Sequence, residues 1–167
     1  MTGSTKSGVH GPALVLGVCL ALVLGAWGFE HIGGLAPCEL CYWQRYALYA
    51  AIPLAMVALI LSRAAPDGTM PRFVAALAAV AVLVGAGIAF YHSGVEFGWW
   101  PGPDTCSVTA LDDPRAALLN PDNVAVVRCD EVPWSLFGVS MAGYNFLISG
   151  ATGLIALWLA LKGRATA

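Results

Sequence analysis

Charge is what this sequence has least of. Only 11% of its 167 residues are Asp, Glu, Lys or Arg, where a soluble domain carries about a quarter. Set beside 59% hydrophobic residues and a mean hydropathy of +0.75, that scarcity excludes a water-soluble globular domain and identifies a membrane protein. A net charge of −2 argues against nucleic acid as a partner. Two further absences narrow the chemistry of the CxxC at Cys38 and Cys41. No histidine follows Cys41, where Tyr42 stands, so covalent c-type haem is excluded. No second closely spaced cysteine pair completes a zinc ribbon, so no metal is expected.

What is present is a set of uncharged runs long enough to cross a bilayer. They predict an all-α membrane protein, a single integral domain of four transmembrane helices at residues 12–29, 41–61, 73–91 and 140–161. Pro133 and Gly138 keep the last helix from starting before Ser140. Pro53 lies within the second run and predicts a kink, because neighbouring helices can satisfy the carbonyl it frees. Small residues at fourfold spacing, Ala81 with Gly85 and Ser149 with Gly153, offer close helix approach, although alanine-rich and glycine-rich apolar sequence produces such pairs without any packing role. The first run follows Lys6 as a secretory leader would, but it lacks a small-x-small cleavage site and is expected to be retained.

The basic residues orient this bundle. Lys6, Arg63, Arg72, Lys162 and Arg164 fall in the termini and the short middle connection. The long connection holds Arg115 and Arg128 among the acids Glu96, Asp104, Asp112, Asp113, Asp122, Asp130 and Glu131. The positive-inside rule then puts both termini in the cytoplasm and the connections 30–40 and 92–139 on the outer side. Trp27, Trp43, Trp99, Trp100 and Trp134 gather at that outer boundary, and Trp158 marks the inner one. A short helix is expected around residues 115–119.

Four of the five cysteines fall on the outer side: Cys38 and Cys41 in the first connection, Cys106 and Cys129 in the second. An even set there suggests two disulfides in an oxidising compartment. A bond between Cys106 and Cys129 would serve equally as a loop staple or as an exchange pair. The two-residue spacer between Cys38 and Cys41 closes too small a loop to constrain much, and it is the spacing of exchange-active pairs. Cys19, inside the first run, reads as a small buried hydrophobe. The helix that starts near Cys41 presents unpaired N–H groups that favour a thiolate, and Arg45 follows one turn later on the same face. Cys41 is therefore the better thiolate of the pair. Arg45, ionisable at the start of a span, is a candidate functional residue or else a guanidinium snorkelling to the interface.

Several stretches together resemble the DsbB-type disulfide bond formation proteins. They are Phe29-Glu30-His31, Pro37-Cys38-Glu39-Leu40-Cys41 with Arg45, Tyr91-His92, the loop cysteines Cys106 and Cys129, and Ser140-Met141-Ala142-Gly143-Tyr144-Asn145. The resemblance covers nearly the whole chain. It implies an enzyme of the bacterial inner membrane, a dithiol:quinone oxidoreductase that reoxidises a soluble DsbA-like thioredoxin-fold protein and passes the electrons to a membrane quinone, ubiquinone or menaquinone. It also implies the roles. Cys106 takes the partner's thiolate and releases Cys129, Cys129 attacks Cys38, and Cys41 is left facing the quinone, with Arg45 on a quinone oxygen and His92 as a second polar neighbour. No role attaches to Cys19. Vitamin K epoxide reductase-like enzymes share the helical bundle, four cysteines and quinone, but their loop cysteines precede the CxxC, opposite to the order here. A non-enzymatic four-span scaffold with stapled loops is the remaining alternative.

Overall fold

The computed structural model describes residues 4–103, 106–109 and 126–162. Helices α1 (Ser4–His31), α2 (Glu39–Ala64), α3 (Thr69–Glu96) and α4 (Met141–Lys162) form the bundle. Among the described residues these four helices are long and apolar enough to cross a membrane. Two short antiparallel ladders decorate the connection between α3 and α4. β1 (Ser107–Thr109) pairs with β2 (Val126–Arg128), and β3 (Ser135–Leu136) pairs with β4 (Val139–Ser140). The β3–β4 turn has positive φ at both Phe137 and Gly138, the conformation of a tight two-residue hairpin. This hairpin, with Pro133 before it, delays the fourth helix to Met141. The helix expected around residues 115–119 lies outside the described residues.

Helices α1, α2 and α3 outrun their expected spans at both ends, because hydropathy marks the part that meets lipid and not the capped turns beyond it, whereas α4 differs from its span by one residue at each end. The extension that matters is at the end of α3. Residues 92–96 were expected in the long connection, yet the helix continues past Tyr91 to Glu96. His92, Ser93, Gly94 and Val95 are all buried there, so their packing carries the helix on. It stops at Phe97, where Gly98 turns to positive φ and the N–H groups of Phe97, Gly98 and Trp99 return to the last carbonyls.

Small side chains fill the interior. Ala51, Ala55, Ala58, Ala78, Ala79, Ala89, Cys19 and Ser149 are fully buried, while Leu24, Ile60, Phe73, Val84 and Leu154 stand on the outside. That inversion suits a bundle in lipid, where close backbone approach replaces the hydrophobic drive between helices. Two of the small-residue positions sit at helix contacts. A Cβ on Gly85 would lie 3.2 Å from Ala47 of α2, and one on Gly153 would lie 2.6 Å from Leu83 of α3. Pro53 stays inside α2 without ending it.

Candidate functional site

Cys38 caps α2. Its backbone is extended and its Sγ accepts the Cys41 N–H at 3.3 Å, taking the place usually held by a serine or aspartate oxygen. The cap brings the pair together, Sγ to Sγ, at 2.6 Å. The hydrogen bond to Cys41 and then burial push the Cys38 thiol up. Cys106 and Cys129 form a disulfide with their Cα atoms 5.5 Å apart. This bond does not stand apart as a staple in the loop. Cys38, Cys106 and Cys129 are buried in one cluster with Leu40 and Val95, and Cys41, Trp100 and Val127 pack against it.

Arg45 is 9% exposed and so is not a snorkelling side chain. It pairs with Glu30 at the end of α1, donates to the Ala26 carbonyl at 3.4 Å, and lies 5.6 Å from the centre of the Tyr42 ring. A guanidinium has five N–H donors, so these contacts fix its plane and leave donors unused. His92 reaches Cys38 and not Arg45. Its Nε2 is 3.6 Å from Cys38 Sγ, its Nδ1 is 2.8 Å from Gln44 Nε2, and the Cys129 backbone lies against the ring. The donor atoms of Cys38, Cys41 and His92 fall within 4.8 Å of one another, which a soft cation could bridge, although a closed zinc site needs a fourth ligand.

Five polar residues had no role assigned from the sequence. Glu30 holds Arg45, Gln44 joins His92 to Asn145, and Glu96 accepts from Ser140. All five lie within or beside a span, where a polar side chain needs a reason to be. That signal was present, but what each one faces depends on helix rotation.

Cys38, Cys41, Arg45, His92 and Glu96 share the wall of a cavity of about 560 Å³, whose remaining lining is largely apolar and comes from α1, α4 and the connections. A reactive sulfur pair, a fixed cation and an apolar chamber meet there. The arrangement fits a largely apolar compound bearing an oxygen that can take a hydrogen bond.

Comparison with known proteins points to disulfide chemistry. A family model described as "Disulfide bond formation protein DsbB" matches residues 10–159. Disulfide bond formation protein B of Verminephrobacter eiseniae is 31% identical over 156 residues, covering 90% of this chain and 85% of that one. The protein of the same name from Azoarcus sp. is 28% identical over 154 residues, covering 90% of each. No solved structure matches.

Proposed function

Because this chain belongs to the DsbB family of disulfide bond formation proteins, we propose that it is a dithiol:quinone oxidoreductase of the bacterial inner membrane. It reoxidises a periplasmic DsbA-like thioredoxin-fold protein, with both termini in the cytoplasm and both cysteine connections outside. The observation that carries this reading is the burial of the Cys106–Cys129 disulfide in one cluster with Cys38, beside an apolar cavity walled by Cys41 and Arg45.

The partner's thiolate attacks Cys106, the more exposed residue of the loop disulfide at 8% against 1% for Cys129. Cys129 departs as a thiolate already packed near Cys38 and attacks it, so the Cys38–Cys41 bond breaks and Cys41 takes the electron pair. Cys41 is the fitting leaving sulfur, since it sits in the first turn of α2 and Arg45 lies one turn on. A bound quinone, ubiquinone or menaquinone, supplies the two-electron sink. Arg45 offers it a charge-assisted hydrogen bond, and the apolar walls keep water from the sulfurs.

Adding a reduced thioredoxin-fold partner to the purified protein with quinone should produce quinone reduction and partner oxidation in equal amounts. The single-cysteine variants should fail at different steps. Cys106→Ser should not capture the partner, although its Cys38–Cys41 bond stays intact. Cys41→Ser should still form the mixed disulfide but should not turn over. Equal loss of capture in both variants would sink the relay.

A further inference from the structure

Leu40 fixes the orientation of a side chain that the relay does not use. A carbonyl oxygen only accepts hydrogen bonds, and that of Leu40 lies 3.2 Å from one terminal atom of the Gln44 carboxamide. That atom must be Nε2. Asn145 of α4 supports the same orientation from the other side, donating to Gln44 Oε1 at 2.6 Å, and the Ser149 hydroxyl donates to Asn145 Oδ1 at 2.8 Å. Gln44 therefore points an N–H at His92 Nδ1, 2.8 Å away. A ring nitrogen that accepts carries no proton, so the neutral imidazole bears its proton on Nε2, the nitrogen 3.6 Å from Cys38 Sγ. Glu96 also lies near Nε2, 4.0 Å away with its second oxygen engaged by Ser140, and the Cys129 backbone is a further hydrogen-bond partner at the ring.

We propose that Gln44 is a positioning residue. Held by Leu40 and Asn145, it keeps His92 as the Nε2–H tautomer and so aims a hydrogen-bond donor at the Cys38 sulfur. The value of that donor rests on the relay described above. Once the partner's second thiolate attacks the partner sulfur of the mixed disulfide and releases Cys106 as a thiolate, Cys106 bonds to Cys129, the Cys38–Cys129 bond breaks, and its electron pair leaves on Cys38. The exchange is redox-neutral, with one disulfide formed and one lost. The departing Cys38 meets two donors, His92 Nε2–H and the Cys41 N–H at 3.3 Å, and His92 keeps its proton while sharing it. His92 thus stabilises charge on Cys38, while Arg45 serves the far side of the pair.

Two measurements that need neither partner nor quinone test the proposal. In nitrogen NMR of the purified protein, the His92 signals, identified by their loss in His92→Gln, should show a protonated Nε2 and an unprotonated Nδ1. Gln44→Leu should convert this to a mixture of tautomers, and Gln44→Asn should restore it in part. The second measurement is alkylation of Cys38 in a Cys19→Ser, Cys41→Ser background, where it is the sole free thiol. Losing a hydrogen bond to a charged sulfur should slow the reaction about tenfold in Gln44→Leu and in His92→Phe. An Nδ1–H tautomer in the unaltered protein overturns the proposal even if no variant folds. So does an unchanged alkylation rate in Gln44→Leu once its tautomers have mixed. Failure of partner oxidation with both readouts as expected would count against the relay alone.

Discussion

Arg45 answers to two neighbours, and their effects can be separated. One is Glu30, whose carboxylate loses its partner in Arg45→Met, an orphaning that costs about 1–3 kcal/mol. The other is the proposed quinone, for which a charge-assisted hydrogen bond of about 1.5–3 kcal/mol would translate to roughly ten- to a hundredfold in apparent affinity. Arg45→Met should therefore both melt earlier and need more quinone. Adding Glu30→Gln should recover the melting temperature and leave the quinone dependence weak. A double variant that recovers both would assign Arg45 to the bundle alone. Cys38, Cys41 and Arg45 were legible as a group because their spacing is local, within two turns of one helix. Glu30, Gln44 and Asn145 were not, because their partners come from other helices and no rule of spacing reaches across them.

At the scale of elements, the end of α3 and the loop after it are held by one close contact. Trp100 stacks on Tyr91 at 5.8 Å between ring centres, donates its indole N–H to the Tyr91 carbonyl at 2.8 Å, and packs against the cysteine cluster. Its ring occupies the space that a side chain on Gly94 would need, since a Cβ there would come within 2.0 Å of it. Gly94→Ala should displace Trp100 and cost about 1–3 kcal/mol of stability in a denaturation series. It should also raise the rate at which small thiols reduce the Cys106–Cys129 bond, because Trp100 is part of its cover. A variant with lowered stability and an unchanged reduction rate would detach Trp100 from the protection of that disulfide. The sequence showed that α3 exists but not where it ends. The expected span stops at Tyr91, whereas the helix stops only where packing ends and Gly98 reverses the chain.

For the molecule as a whole, orientation rests on the distribution of basic residues and is open to direct test. A membrane-impermeant thiol reagent applied to the outer face of reduced cells should label Cys106 and Cys129, which lie in the outer connection, and miss Cys19, which lies within the span of α1. Labelling of the long connection from the cytoplasmic side alone would reverse the topology and remove the proposed partner. Four spans could be read from composition because a bilayer demands long uncharged runs, whereas the cavity could not, because it is the space left between helices packed through alanine, glycine and serine. The burial of the loop disulfide also bears on leakage. Exchange requires a thiolate to approach in line with the bond it breaks, and with Cys129 at 1% exposure only a reductant shaped to reach Cys106 can do so. In the proposed relay, abundant small thiols would therefore meet a steric toll, and the chain would act as a rectifying contact that admits electrons from one shaped donor while resisting idle discharge of the membrane's oxidant.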